Sequence, residues 1–235
     1  MVFAELVLGT KGRAANMTGF PARRRSDGYT WDDYRAWGDE QRWQIIGGEA
    51  YAMTPAPSTH HQRLVARLYE QLARHFRNKR CEVFLSPVDV RLSAKDVVQP
   101  DLLVVCDREQ VKATHIEGAP ALVVEIISPS SALIDQGLKM RLYARAGVRE
   151  VWLVRPNPWL AEVLTLDGGT YRLRGAYSQE DQLASPSFRG LRVDLRNVFD
   201  AATTPDAGPG FVREERAAYG ARRPPGRSRA RRRDR

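Results

Sequence analysis

The run ALVVEII at residues 121–127 narrows the folds open to this chain. Val123, Val124, Ile126 and Ile127 read as a short buried strand, with Leu122 before them and Ser128-Pro129 after. Glu125 lies in the middle of it. A buried, unpaired carboxylate costs several kcal/mol or stays protonated. The strand therefore needs a packed sheet around it and a partner for Glu125.

The chain has 235 residues, enough for one sizeable domain with tails, and its 43% hydrophobic content is ordinary for a globular protein. The net charge of +9 is unevenly spread. Residues 221–235 hold eight arginines and one aspartate, residues 1–28 carry +3 and residues 201–220 carry −1, which leaves 29–200 neutral with 22 basic and 22 acidic residues. These counts divide the chain into a disordered extension (1–28), a folded domain (29–200) and an arginine-rich disordered tail (201–235) suited to gathering nucleic acid without reading it, the alternative being a dispensable extension. Cys81 and Cys106 lie in separate apolar runs with no metal-binding spacing, and read as small core residues of a reducing compartment. No window has the length of a membrane span, and the start lacks the order of a secretory signal, so a cytoplasmic location is expected.

Within the domain, Arg42–Ile46 and Ala50–Met53 flank Gly47-Gly48 as a hairpin. Thr59 and Gln62 suggest a capping box opening a helix that buries Leu64, Val65, Leu68, Leu72 and Phe76 and ends near Asn78. Strand-like runs follow at 81–85 and 88–92, taken as one strand broken by Pro87, and then at 100–106 and 121–127. A second helix is expected from about Ser131 to Ala146, then a strand at 151–154 and a hairpin at 162–177. LRVDLRNVF (191–199) closes the domain. This order predicts an α/β or α+β fold with a central mixed sheet, flanking helices and a hairpin at each end.

Asp101 begins its strand directly after Pro100, and consecutive strands are usually neighbours, so Asp101 and Glu125 can converge on one edge of the sheet. Paired carboxylates are hard oxygen ligands suited to Mg²⁺. The alternative for Glu125 is an arginine or backbone partner. From Glu125 to Pro129 the strand covers about 13 Å at roughly 3.3 Å per residue. A helix folding back from Ser131 covers about 12 Å by Lys139 at about 1.5 Å per residue. Lys139 is thus expected level with Glu125, at the border of the apolar face. The alternative is an ordinary surface pair with Asp135.

The segments QPDLLVVCD, EGAPALVVEIISPSS, DQGLKMRLYARAGVREVWLV and FRGLRVDLRNVF resemble the Uma family of restriction-endonuclease relatives, within the PD-(D/E)xK nuclease superfamily. The similarity runs from about Tyr34 to Phe199. It implies a restriction-endonuclease-like core, with Asp101 as the PD aspartate and Glu125 at the (D/E) position. Ile127 stands where the superfamily lysine is expected, and the family's habit of placing it on the following helix implies Lys139. Glu49 resembles an acidic residue of the family's first hairpin that completes the metal site, although Gly47 replaces the aspartate usual there. The alternative for Glu49 is an exposed residue beside a turn. His61 shares the inward side of its helix with Leu64 and Val65 and is a weaker catalytic candidate, the alternative being a local hydrogen-bonding role. His60 and Gln99 are weaker still. The resemblance implies a Mg²⁺- or Mn²⁺-dependent endonuclease acting on nucleic acid, with DNA as the expected substrate and a homodimer as an expected assembly. The alternative readings are an inactive nucleic-acid-binding or accessory module that keeps the fold, and a structural domain whose Glu125 and Lys139 form a buried ion pair.

Overall fold

The computed structural model describes residues 21–23, 26–37, 41–53, 56–127 and 134–199. The arginine-rich tail and most of the expected N-terminal extension lie outside them. In chain order the elements are β1 (Pro21–Arg23), α1 (Trp31–Arg35), β2 (Trp43–Ile46), β3 (Glu49–Ala52), α2 (Thr59–Phe76), β4 (Glu82–Leu85), β5 (Val90–Ser93), β6 (Asp96–Val98) and β7 (Leu102–Val105). They continue with β8 (Ile116–Glu117), β9 (Leu122–Ile126), α3 (Met140–Ala146), β10 (Glu150–Pro156), β11 (Trp159–Asp167), β12 (Thr170–Tyr177), β13 (Gln182–Ala184) and β14 (Arg192–Asp194).

The strands form two six-stranded sheets, ordered β1-β3-β2-β6-β5-β8 and β12-β11-β10-β9-β7-β4, with β13-β14 as a separate pair. The second is the expected central sheet: β9 and β10 run parallel, joined through α3, and β11-β12 is the added C-terminal hairpin. The first hairpin, β2-β3, turns through Gly47 and Gly48 at φ 61° and 80°, a conformation that needs glycine. It joins a second sheet of its own. The broken strand expected around Pro87 is corrected: β4 belongs to one sheet and β5 to the other, so Ser86-Pro87 marks a crossing between sheets. β6 was not anticipated, because Asp96-Val97-Val98 is too short to show a period of two.

Two cores result. The amphipathic helix α2 lays Leu64, Val65, Leu68, Leu72 and Phe76 on one face of the central sheet, against Leu102, Val104, Val124 and Trp152. On the opposite face, Leu103, Val105, Val123, Val151 and Leu153 meet Leu142 and Tyr143 of α3 together with Ile46, Tyr51, Val90 and Val98 of the other sheet. The cap of α2 is Ser58, one residue before the expected Thr59: its side chain accepts the N–H of His61 at 3.2 Å. The helix ends at Phe76, and Asn78 follows at φ 60°.

Cys81 and Cys106 are not free thiols. They form a disulfide, one step beyond the Glu82–Val105 pair of the β4-β7 ladder. The bond overturns the reading of both as reduced core residues. Among the described residues no helix is long and apolar enough to cross a membrane.

Glu150 is fully buried at the start of β10. Its Oε1 accepts from Nε1 of Trp152 at 2.7 Å, and its Oε2 accepts from Oγ of Ser185 and the N–H of Ser187, each at 2.9 Å. The carboxylate ties the chain after β13 to the central sheet. Glu150→Ala leaves three donors without it and is expected to cost about 3–5 kcal/mol. A urea midpoint unchanged from wild type would show that water takes over its bonds.

Candidate active site

β7, β9 and the helical segment after β9 meet at one end of the central sheet. Leu102 pairs with Val124 in the antiparallel ladder, so Asp101 stands opposite Glu125 one step further on. Oδ2 of Asp101 accepts the backbone N–H of Ile126 at 2.7 Å, which holds the side chain against β9. Oδ1 lies 3.3 Å from Nε2 of His61, on the first turn of α2. The backbone oxygen of Asp101 accepts from the N–H of Ser86 at 3.0 Å.

Glu125 is 2% exposed and Lys139 4%, a degree of burial that charged groups tolerate only in pairs. Nζ of Lys139 donates to Oε1 of Glu125 at 3.0 Å, and the hydroxyl of Tyr143 donates to the same oxygen at 2.5 Å. The amine stands beside Glu125, where strand and helix rises place it, but not at the border of the apolar face. Lys139 closes a π-helical turn, Ile134–Lys139, that leads into α3. The i→i+5 repeat of that turn changes which side the last residue faces, and Lys139 turns inward. The surface-pair alternative conflicts with its burial; the side chain of Asp135 lies outside the described residues.

Glu49 begins β3 and accepts from the Tyr51 hydroxyl at 3.0 Å. Among the described residues no three His, Cys, Asp or Glu side chains converge as a metal cluster, so Glu49 is not gathered with Asp101 and Glu125. Its expected place as a third ligand is not seen. The weaker candidate His60 buries both ring nitrogens with no hydrogen-bond partner among the described residues.

Gln99 belongs to a second network. Its side-chain oxygen accepts from Nε of Arg42 at 2.9 Å and also from Nη2, and its amide donates to Asp89 Oδ1 at 2.7 Å and to the Tyr34 hydroxyl at 3.1 Å. Tyr34 itself donates to Asp89 Oδ1 at 2.7 Å. Burial, and then the Asp89 carboxylate, push the Tyr34 hydroxyl far above the usual tyrosine range, so it remains a donor. Sequence reading missed this network and Tyr143. The signal for Tyr143 was its position one helical turn after Lys139. The signal for α1 was the box formed by Thr30 and Asp33.

A parallel β9-α3-β10 unit in a mixed sheet, with paired carboxylates at one end and a helix-borne lysine beside them, defines a restriction-endonuclease-like α+β fold. A solved structure titled as a putative nuclease belonging to DUF820, from Anabaena variabilis, shares this fold: TM-score 0.60 at 17% identity, covering 72% of this chain and 97% of that one. The Uma2 family model, described as "Putative restriction endonuclease", matches residues 31–196, and the chain belongs to that family. An uncharacterized protein of Synechocystis sp. is 31% identical over 126 residues, which are 52% of this chain and 66% of that protein. The match thus spans just under two thirds of that relative.

Proposed function

We propose that this chain hydrolyses phosphodiester bonds in DNA, using Mg²⁺ or Mn²⁺ held by Asp101 and Glu125. The observation that carries this reading is the buried Lys139 amine on Glu125, opposite Asp101 in the strand register. The donor set suits a hard cation. Both side chains offer only oxygen, and Mg²⁺ is commonly held by one or two carboxylates, with waters and substrate phosphate completing its shell. When bound, the metal supplies Lewis-acid polarisation and a lowered pKa for bound water.

The remaining roles fall to the chain itself. Lys139 orients the attacking water and offsets charge developing on the phosphate. Tyr143 holds the Glu125 carboxylate in place through its 2.5 Å hydrogen bond. The Ile126 N–H and His61 do the same for Asp101.

The test is cleavage of linear, supercoiled and single-stranded DNA, and of RNA, with Mg²⁺ or Mn²⁺. Cleavage that disappears in Asp101→Asn supports the reading, whereas cleavage unaffected by that change overturns the site. A second reading, an inactive binding module, draws on the fact that Glu125 already has two protein partners. It predicts nucleic-acid binding without metal-dependent cleavage.

The tail carries a net +7 between Ala221 and Arg235. Deleting residues 222–235 is expected to weaken nucleic-acid binding and flatten its salt dependence, the slope falling by about 0.9 for each phosphate the tail had neutralised. An unchanged slope would show that the tail does not touch the ligand.

A further inference from the structure

Outside the carboxylate site, a cleft of about 490 Å³ opens between α1 and the start of β2. Its aromatic lining is Trp31, Tyr34, Trp37 and Trp43, and its polar lining includes Arg42, Asp89 and Gln99. Trp31 and Trp43 are 7% and 5% exposed and form the floor, while Tyr34 and Trp37 are half-buried at the rim. The rings hold one another at fixed angles: Trp31 stacks on Tyr34 at 5.7 Å, and Trp37 meets Trp43 edge-on at 5.8 Å. The volume falls within the range of small-molecule sites, which are apolar walls with a few placed polar groups.

Those polar groups are held in place and only partly used. Asp89 gives Oδ1 to Tyr34 and Gln99, and among the described residues nothing is hydrogen-bonded to its Oδ2. Arg42 gives Nε and Nη2 to Gln99, and Nη2 also to Ser86 at 3.1 Å, while Nη1 makes no hydrogen bond among the described residues. Flat aromatic walls with one fixed acceptor and one fixed donor suit a planar, heteroatom-edged ring. That is the chemistry of a nucleobase.

Position ties the cleft to the carboxylates. Gln99 and Asp101 are two residues apart, so their Cα atoms lie within about 7 Å. Arg42 also binds Ser86, whose N–H in turn holds the backbone of Asp101. We propose that the cleft receives one unstacked nucleobase of the substrate strand, adjacent to the bond under attack. Asp89 would accept from an exocyclic amino group and Arg42 would donate to a ring nitrogen or carbonyl, which favours the amino-bearing bases adenine, guanine and cytosine over thymine. The proposal rests on the nucleic-acid substrate proposed above. It also implies that the enzyme acts on single strands, or on a base drawn out of the duplex.

Three of the five tryptophans line the cleft, so intrinsic fluorescence reports on it. The full chain is titrated without metal with dGMP, dCMP, dTMP and, as the baseless probe, deoxyribose 5-phosphate. Saturable quenching by dGMP and dCMP is expected, with dTMP about tenfold weaker and the sugar phosphate silent. Asp89→Asn is expected to weaken dGMP about tenfold. No saturation at millimolar nucleotide overturns the proposal, as does equal quenching by the sugar phosphate. Turnover is not needed for this measurement. Quenching without any cleavage keeps the cleft and removes the nuclease reading. Cleavage without quenching, unaffected by an abasic nucleotide beside the cut, keeps the nuclease and removes the cleft.

Discussion

Lys139→Met is expected to reduce cleavage by about 10²–10³-fold, the scale seen when one donor is removed from a developing anion. The variant keeps the length and apolar stem of the side chain and loses only the ammonium. It also leaves Glu125 buried with one of its two described donors gone, and breaking a buried pair costs about 3–5 kcal/mol. A stability loss could therefore mimic a catalytic one. The double variant Lys139→Met/Glu125→Gln removes both charges and is expected to recover much of the melting temperature while remaining inactive. Lys139→Arg should rescue poorly, because a planar guanidinium does not fit the space of a compact ammonium. If folded Lys139→Met cleaves at the wild-type rate, the lysine is only a structural partner of Glu125.

Metal affinity is the second large effect. Titration calorimetry with Mn²⁺ is expected to find one site, weakened about tenfold or more by Asp101→Asn and again by Glu125→Gln. Tenfold corresponds to about 1.4 kcal/mol. Asp167→Asn, at the exposed end of β11, is the control and should bind as wild type. Equal Mn²⁺ binding by wild type and both site variants would remove Asp101 and Glu125 as ligands, whatever the cleavage assay reports.

What could be read from the sequence followed from strong local rules. Gly47-Gly48 marks a hairpin because few other residues accept two consecutive positive φ angles. Leu64, Val65, Leu68, Leu72 and Phe76 mark a helix face through their spacing. The β9 strand and its glutamate stand out because a carboxylate among β-branched residues needs a partner. What could not be read depended on pairing between segments distant in sequence. The change of sheet at Ser86-Pro87 depends on β5 pairing with β8 and β6 with β2, which no local pattern announces. The Cys81–Cys106 bond requires the β4-β7 register to be known. The cleft gathers residues from positions 31 to 114, and its aromatic spacing looks locally like any core. Lys139 was partly legible: rise per residue placed it at the right height, but the π-helical turn that faces it inward has no sequence signature.

That turn has a consequence for how the site is assembled. Position 127 holds an isoleucine that is 6% exposed and packs in the core between the sheets. The carboxylates stand at the β7-β9 ladder and the ammonium on the turn leading into α3, so they sit on different elements. If α3 lifts from the sheet, the amine withdraws while β7 and β9 keep their ladder. On the proposed mechanism, cleavage would then scale with the fraction of molecules in which α3 is closed. Amide exchange across Met140–Ala146, compared with exchange in β9, measures that fraction directly.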